Sequence, residues 1–184
     1  FQIKTYLCFF NKEHMKSKKN LVLVGMPGSG KSTIGYLLSK KLNKKFIDID
    51  KYIEKDTGLR INEIFEKKGE KHFREIELKI SLQFIKLNNN VISLGGGGFM
   101  NNDIRNEVLS KDISFWLNWK NNTLVDRLLS SKKRPLLVNL KEKDIKKIIF
   151  ERTKIYSMAH HKINCEKFSK NEIVKEILNI YNEN

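Results

Sequence analysis

The segment Asn20-Leu-Val-Leu-Val-Gly-Met-Pro-Gly-Ser-Gly-Lys-Ser-Thr33 decides the fold of this chain. Its apolar residues 21–24 predict a short buried strand, and residues 33–42 carry apolar side chains at helical spacing. Between them, Gly25-x4-Gly30-Lys31-Ser32 has the spacing of the glycine-rich loop that binds nucleotide phosphates. A loop that leads into a helix aims the backbone N–H groups of the helix N-terminus at one anion. The segment therefore predicts a nucleoside triphosphate site built from a strand, a loop and a helix.

The residue types of this loop suit phosphate chemistry. Its glycines allow backbone conformations that a Cβ would forbid, so that successive N–H groups can converge on one anion. Lys31 would add a positive charge at the β- and γ-phosphates, and the hydroxyl of Ser32 would ligate Mg²⁺. We expect the nucleotide to contact six consecutive residues: Gly28, Ser29, Gly30, Lys31, Ser32 and Thr33.

Length and composition limit the possibilities further. A chain of 184 residues is typical of one α/β domain with a sizeable core. It has no apolar run near the about 18 residues that a membrane span needs, and its first ten residues lack a signal-peptide cleavage pattern. We expect residues 1–19 to be an extension, with Met15 as a plausible start, and residues 20–184 to form the single domain. The two cysteines, Cys8 and Cys165, do not form a disulfide framework and fit the cytoplasm.

The net charge of +15 raises the question of a nucleic-acid partner. Lysines supply most of this charge and are spread along the whole chain, whereas a nucleic-acid interface concentrates them on one face. We therefore expect no nucleic-acid partner and no membrane partner. Arginine is scarce, so each arginine becomes a candidate for a role that needs a planar, bidentate cation. The six arginines are Arg60, Arg74, Arg105, Arg127, Arg134 and Arg152.

Strand and helix patterns alternate along the chain. The expected strands are 21–24, 46–49, 91–94, 113–117 and 161–163, and the expected helices are 31–43, 61–67, 70–87, 101–109, 121–130, 143–157 and 170–182. This alternation predicts a three-layer α/β/α fold around a central five-stranded parallel sheet. The residues Lys132-Lys133-Arg134-Pro135 break the helical pattern and begin a polar-flanked loop. A loop of this length in a compact domain is often a lid, and we expect this lid at about 131–143.

Two carboxylates follow the strand expected at 46–49. Asp48 and Asp50 are spaced i, i+2, and strand ends of a parallel sheet converge near the phosphate loop. One of them could hold Mg²⁺ through water while the other contacts an acceptor hydroxyl. The alternative is that Asp50 simply begins a helix.

Three further segments carry candidate ligand groups. Arg74 precedes Glu77 by three residues on one helical face, which would orient its guanidinium toward a ligand carboxylate or would form an exposed ion pair. The run Gly95 to Gly98 ends an apolar strand and leaves room for a ligand beside the backbone, unless it is only a flexible loop. Arg152 and Tyr156 lie four residues apart on a helix after the expected lid.

In this ordered set of motifs the chain resembles the shikimate kinases, which are small relatives of the nucleoside monophosphate kinases. The resemblance runs from about residue 20 to the C-terminus, in the family's order and spacing. The matching residues are Gly25 to Thr33, Phe46-Ile-Asp48-Ile-Asp50, Ile53-Glu54, Thr57-Gly58, Ile64-Phe65, Gly69-Glu70, Phe73-Arg74, Glu77, Leu94 to Gly97, Arg134-Pro135-Leu136-Leu137 and Arg152-x3-Tyr156.

The resemblance implies ATP-dependent phosphorylation of the 3-hydroxyl of shikimate, on the route to chorismate and aromatic amino acids. It implies that Lys31, Asp50 and Arg134 are catalytic, that Ser32 and Asp48 organise Mg²⁺, and that Arg127 lies near the adenine. It also implies a shikimate site with the carboxylate held by two arginines. That site would comprise Asp50, Phe73, Arg74, Gly95, Gly96, Gly97 and Arg152, with Glu77 fixing Arg74.

Other functions remain open from sequence. A related P-loop kinase acting on gluconate would keep the phosphate loop, although paired arginines and the glycine run favour a carboxylated ring. An adenylate-kinase-like enzyme would need a nucleoside pocket. A regulatory or nucleic-acid-binding domain could keep the fold without catalysis, but the intact Lys31, Ser32, Asp48, Asp50 and Arg134 argue against loss of activity. We expect a monomer, because a small kinase can complete this site alone.

Overall fold

A computed structural model of the chain describes residues 19–130 and 141–183, and its strands form one parallel sheet in the order β2-β3-β1-β4-β5. The strands are β1 (Leu21–Val24), β2 (Lys45–Asp48), β3 (Asn90–Ser93), β4 (Ile113–Asn118) and β5 (His161–Asn164). The helices are α1 (Lys31–Leu42), α2 (Ile49–Thr57), α3 (Ile61–Ile85), α4 (Asn102–Lys111), α5 (Asn121–Leu129), α6 (Glu142–Tyr156) and α7 (Lys170–Glu183). The prediction of an α/β fold with five parallel strands is confirmed.

The central strand β1 separates two hydrophobic layers. Val22 and Val24 pack with α3 to α6 on one face, whereas Leu21 and Leu23 pack with α1 and α7 on the other. This alternation follows from the strand period of two, which sends successive side chains to opposite faces. Because both faces are covered, the central strand β1 is apolar and buried along its whole length, as parallel sheets require, whereas the edge strand β5 buries only Ile163.

The strand order places a ligand crevice at the centre of the sheet. β1 lies between β3 and β4, so the connection after β1 goes to one side of the sheet and the connection after β3 crosses to the other. At such a point the loops that follow the strands diverge and leave a crevice beyond the carboxyl ends. The phosphate loop, between β1 and α1, therefore opens into this crevice.

The sequence analysis missed helix α2, which begins directly after β2. Asp48 is the N-cap of this helix, since its carboxylate accepts the backbone N–H of Lys51 at 3.4 Å. Asp50 consequently lies in the first helical turn rather than at the end of the strand. The sequence analysis expected a strand at 46–49 and no helix after it, and gave a helix beginning at Asp50 only as the alternative. A nine-residue helix that follows a strand without a connecting loop leaves no turn signal to mark its start.

Helix α3 contains a break at the position that the sequence predicted. The expected helices 61–67 and 70–87 are joined at Gly69, whose φ of 79° and ψ of 169° are not helical. Only glycine adopts this region readily, so the kink is encoded locally. It changes the direction of the helix just before Arg74.

A buried polar cluster joins the amino ends of the strands. The Asn20 side chain donates to the carbonyls of Ile85 and Leu87 at 3.0 and 2.6 Å and accepts the N–H of Asn90 at 2.9 Å. The backbone N–H of Asn20 donates to the Asp112 carboxylate at 3.2 Å, and burial raises the pKa of Asp112 to about 6. The cluster is structural, because it lies at the sheet edge opposite the crevice.

Parts of the predicted domain plan cannot be compared with the structure. Most of the expected N-terminal extension, and Arg134 with most of the expected lid, lie outside the described residues. The helix after the expected lid, α6, begins at Glu142, within one residue of the expected start at 143. Among the helices in the described ranges, none has the length and apolar character to cross a bilayer.

Candidate active site

A cavity of about 830 Å³ opens at the carboxyl ends of the central strands. The phosphate loop forms one wall, α2 and the two parts of α3 form another, and the glycine run after β3 with Arg152 of α6 closes the remaining side. The predicted site residues that line it are Gly28, Gly30, Lys31, Ser32, Thr33, Asp50, Phe73, Arg74, Gly96, Gly97 and Arg152. The structure thus brings the predicted nucleotide and acceptor residues into one cavity.

Four other predicted residues do not line the cavity but contact residues or elements that do. Asp48 caps α2, and Gly95 lies against two carboxylates of the site. The carbonyl of Ser29 accepts a hydrogen bond from the indole of Trp119, and Arg127 donates to the carbonyl of Gly28 at 3.3 Å.

Positive backbone angles shape the phosphate loop. Gly25 has a φ of +140°, and a Cβ there would lie 3.0 Å from the carbonyl oxygen of Leu117, so this position requires glycine. Lys31 is only 8% exposed, and its ammonium donates to the carbonyls of Gly25 and Met26 at 2.8 and 3.0 Å. The lysine charge is therefore held against the start of the loop, while Ser32 is exposed in the first turn of α1 and lines the cavity.

Two acidic side chains converge on Gly95. A Cβ at this glycine would lie 2.5 Å from Glu77 Oε1 and 2.7 Å from Asp50 Oδ1. Asp50 is exposed to the cavity, whereas Glu77 is 2% exposed. The glycine therefore allows the Asp50 carboxylate to reach the part of the cavity that Glu77 and the glycine run enclose.

Arg74 has a feature of each predicted alternative, because its side chain forms ion pairs and also lines the cavity. Its guanidinium donates to Glu77 Oε2 at 2.6 Å and to Glu70 Oε1 at 3.2 and 3.0 Å. Burial raises the pKa of Glu77, and the charge and hydrogen bond of Arg74 oppose that rise. The pair thus places a guanidinium at the cavity wall, with a buried carboxylate holding one of its nitrogens.

The glycine run packs tightly against three elements and is not a flexible loop. A Cβ on Gly96 would overlap the ring of Pro27, and one on Gly97 would overlap the Arg74 guanidinium. The Gly96 carbonyl accepts hydrogen bonds from the Tyr156 hydroxyl at 2.5 Å and from Arg152 at 3.2 Å. Burial raises the pKa of Tyr156 to about 12, so this hydroxyl remains a donor even in alkaline solution.

Apolar side chains support the acceptor end of the cavity. Phe73 is 4% exposed and packs against Phe65, with ring centroids 4.6 Å apart. The Arg74 guanidinium carbon lies 5.1 Å from the Phe73 ring centroid, within the range of cation–π attraction. This aromatic pair fixes the wall from which Arg74 projects.

Sequence reasoning did not assign a role in the site to several of its residues, and four of these bear on its shape. Pro27, Arg60 and Asn62 line the cavity, and Trp119 holds the phosphate loop from behind. Pro27 is part of the loop motif and Arg60 was noted only as one of few arginines, so weak signals existed for both. Trp119 gave none, because its contact with Ser29 spans 90 positions of sequence.

A parallel sheet with a phosphate loop at its central crevice, and an acceptor cavity walled by arginines and carboxylates, defines a P-loop phosphotransferase acting on a small anionic molecule. A family model described as shikimate kinase matches residues 27–182. The chain belongs to the shikimate kinase family.

Individual relatives agree with this assignment. A shikimate kinase from Sulfurihydrogenibium sp. (strain YO3AOP1) is 44% identical over 160 residues, which is 87% of this chain and 96% of the relative. The structure of a shikimate kinase from Acinetobacter baumannii in complex with shikimate matches with a TM-score of 0.85 and 28% identity, covering 91% of this chain and 95% of that one. A gluconokinase from Sinorhizobium meliloti 1021 matches over 90% of this chain and 93% of its own with a TM-score of 0.58 and 14% identity, a likeness in fold alone.

Proposed function

We propose that this chain transfers the γ-phosphoryl group of ATP to the 3-hydroxyl of shikimate, giving shikimate 3-phosphate and ADP on the route to chorismate and aromatic amino acids. The observation that carries the proposal is the single cavity that joins the phosphate loop to a wall bearing two guanidinium groups. Phosphoryl transfer depends on positioning and charge neutralisation, and both substrates can meet in this cavity.

Arg74 and Arg152 are proposed to bind the shikimate carboxylate. The proposal is supported by their place in the lining of the same cavity and by the planar, always charged guanidinium, which matches a carboxylate bidentately. Gly95, Gly96 and Gly97 are proposed to face the ring hydroxyls, which is supported by the place of Gly96 and Gly97 in the cavity lining. Phe73 would support the ring from the apolar side.

Asp50 is proposed to hold the acceptor hydroxyl and to take its proton as the phosphoryl group is transferred. Its exposed position in the first turn of α2, facing the same cavity as Lys31, supports this role. Lys31 is proposed to move its ammonium from the loop carbonyls to the transferring phosphoryl group. Arg134, which lies outside the described residues, is proposed to add positive charge from the lid, and Arg127 to lie beside the adenine.

Ser32 and Asp48 fit a magnesium site of the kind that P-loop enzymes use. The Ser32 hydroxyl opens to the cavity, whereas Asp48 is 6% exposed and does not line it, so its carboxylate would act through a water. Across residues 19–130 and 141–183, no cluster of three or more His, Cys, Asp or Glu side chains offers an all-protein site. When bound with ATP, Mg²⁺ would neutralise charge on the β- and γ-phosphates.

The proposed partners are small molecules only. The spread of lysines along the chain supports the absence of a nucleic-acid partner, and a site completed by one chain supports a monomer. The low cysteine content supports a cytoplasmic location. Size-exclusion chromatography with light scattering would measure the oligomeric state directly.

The function is tested by a coupled assay of ADP release with shikimate, gluconate and AMP supplied in parallel. Of these three acceptors, we expect only shikimate to support ADP release. This release should be lost in Lys31→Met, because methionine has a side chain of similar length without the charge. Folded protein that releases ADP with gluconate and not with shikimate would replace the assignment by the related kinase. Release with no acceptor would contradict it altogether.

A further inference from the structure

We propose that Trp119 is a positioning residue of the nucleotide site, because its indole N–H fixes the orientation of one peptide group of the phosphate loop. The inference rests on the proposed function, since it concerns binding of the nucleotide phosphates. Trp119 follows β4 directly and is half-buried beside the loop. Neither the loop motif nor the resemblance assigns it a role.

The indole nitrogen of Trp119 donates a hydrogen bond of 2.9 Å to the carbonyl of Ser29. The peptide group that carries this carbonyl also carries the N–H of Gly30. In a planar trans peptide the two groups point in opposite directions. Fixing the Ser29 carbonyl toward Trp119 therefore turns the Gly30 N–H away from Trp119, toward the cavity that Gly30 lines.

The peptide group between Ser29 and Gly30 needs an external anchor because the backbone of Gly30 can adopt many conformations. Gly30 has a φ of +92°, and apart from its two chain neighbours no described residue places an atom within 4 Å of the position that its Cβ would take. Glycine populates positive and negative φ about equally, so the peptide before it can rotate with little steric resistance. The tryptophan hydrogen bond selects the orientation in which this N–H can join the anion-binding set.

The face of the same indole ring supports a second anchor. The Arg127 guanidinium carbon lies 3.7 Å from the centroid of the Trp119 ring, and Arg127 donates to the carbonyl of Gly28 at 3.3 Å. Stacking on the indole holds the guanidinium flat, as cation–π attraction favours. Trp119 thus holds two successive carbonyls of the loop, one through its N–H and one through Arg127.

The position of Trp119 is itself fixed on both sides. Before it, the Asn118 side chain donates to the side chain of Asn164 at 3.0 Å. After it, the Glu166 carboxylate accepts the N–H of Lys120 at 3.2 Å and the hydroxyl of Thr123 at 2.8 Å. Precise placement of a site group requires such supporting contacts, and here they tie the segment to the end of β5.

The test compares Trp119→Phe, which keeps an aromatic face for Arg127 but loses the N–H, with Trp119→Leu, which loses both. Binding of ADP, of inorganic tripolyphosphate and of shikimate is measured by titration calorimetry. We expect Trp119→Phe to weaken ADP and tripolyphosphate about three- to ten-fold, the range for one lost hydrogen bond, with shikimate affinity unchanged. Trp119→Leu should weaken ADP further.

Several outcomes would overturn the inference. Trp119→Phe that binds tripolyphosphate like the wild type would contradict it, and so would equal losses for shikimate and phosphate, which indicate a general structural defect. Wild-type protein that binds neither ADP nor tripolyphosphate would overturn the proposed function and this inference together, whereas normal wild-type binding with a silent variant overturns this inference alone.

A measurement on the wild-type protein keeps the test independent of variant folding. The indole N–H resonance of Trp119 should exchange with solvent at least ten-fold more slowly than that of free tryptophan, because it is hydrogen bonded. It can be distinguished from the resonance of Trp116 by the spectrum of Trp116→Phe. Exchange as fast as in free tryptophan would contradict the proposed anchor.

Discussion

Arg74 and Glu77 form an ion pair in which one partner faces the cavity and the other is buried. The guanidinium Nη1 lies 2.6 Å from Glu77 Oε2, and the side chains are 31% and 3% exposed, respectively. The second carboxylate oxygen, Oε1, has no hydrogen-bond partner among the described residues and faces Gly95. The remaining nitrogens of Arg74 contact Glu70, which is 54% exposed, so that a ligand carboxylate would compete with Glu70 and not with Glu77.

Replacing Arg74 by lysine tests whether this guanidinium binds the acceptor. Lysine keeps the charge but loses the bidentate geometry, so the KM for shikimate should rise by about ten-fold or more, as expected for a charge-assisted bond worth about 1.5–3 kcal/mol. Affinity for ATP measured without shikimate should change little. Steady-state kinetics with each substrate varied in turn provides the measurement, and an unchanged shikimate KM in folded protein would remove Arg74 from the site.

Replacing Asp50 by asparagine tests its proposed role at the acceptor hydroxyl. Asparagine is nearly isosteric but cannot accept the proton, so kcat should fall far more than ATP affinity, because the lost interaction belongs to the transition state. A fall of at least 100-fold is expected for a general base. Single-turnover kinetics separates the chemical step from product release. A raised KM with near-normal kcat would contradict the role.

Gly97→Ala and Gly58→Ala form a matched pair with opposite expected effects. A Cβ at Gly97 would overlap the Arg74 guanidinium, so the shikimate KM should rise while stability changes little, since a side chain can move aside. Gly58 has open space around it but a φ of +66°, so alanine there should lower stability by about 1–2 kcal/mol and leave both KM values unchanged.

Urea unfolding and kinetics on both glycine variants test this pairing. Similar losses of stability in the two proteins would show that Gly97 is required only for folding. An unchanged shikimate KM in Gly97→Ala would show that the Arg74 position does not govern acceptor binding.

Asp112→Asn tests the pH dependence of stability that follows from the buried cluster. The folded-state pKa of about 6 lies above the ordinary value of 3.8, because burial disfavours the charged form. At pH above 6 the Asp112 carboxylate is charged in both the folded and the unfolded protein. The cost of burying this charge then lowers the stability of the folded state. As pH falls from 6 toward 4 the folded protein takes up a proton first, and the penalty disappears.

The side chain in Asp112→Asn is uncharged at every pH, so the variant has no cost of burying a charge. Its free energy of unfolding should therefore exceed that of the wild type most at pH 7.5, and the difference should shrink as pH falls through 6. Urea unfolding of both proteins at pH 7.5, 6 and 5 gives the comparison, in which groups common to both proteins cancel. A difference independent of pH would show that Asp112 does not titrate in this range.

The fold was largely predictable from sequence because its signals are local. Apolar runs of four to six residues, the glycine loop and the helical periodicities fixed the five strands within about one residue at their ends. The break at Gly69 was likewise visible, since it depends on one residue type. Helix α2 was missed because its N-cap, Asp48, is also the last residue of a strand, so no polar turn separates the two elements.

Only the site residues that lie within short sequence motifs could be predicted from the sequence. Residues of the phosphate loop and the glycine run lie on short, recognisable segments, and the structure brings them to one cavity. The contacts that orient them come from elsewhere in the chain. Trp119 meets Ser29, and Tyr156 meets Gly96, through separations of 90 and 60 residues, which no local pattern reports.

Gly96 contacts both the phosphate loop on one side of the cavity and helix α6 on the other. Its α-carbon packs against Pro27 of the phosphate loop, while its carbonyl holds Tyr156 and Arg152 of α6. A displacement of the phosphate loop on nucleotide binding would therefore reach Arg152, which is proposed to hold the acceptor carboxylate. By thermodynamic linkage, the factor by which ATP changes the affinity for shikimate must equal the factor by which shikimate changes the affinity for ATP. The binding energies of the two substrates are thus expected to be non-additive, with Gly96 carrying the cooperativity between them.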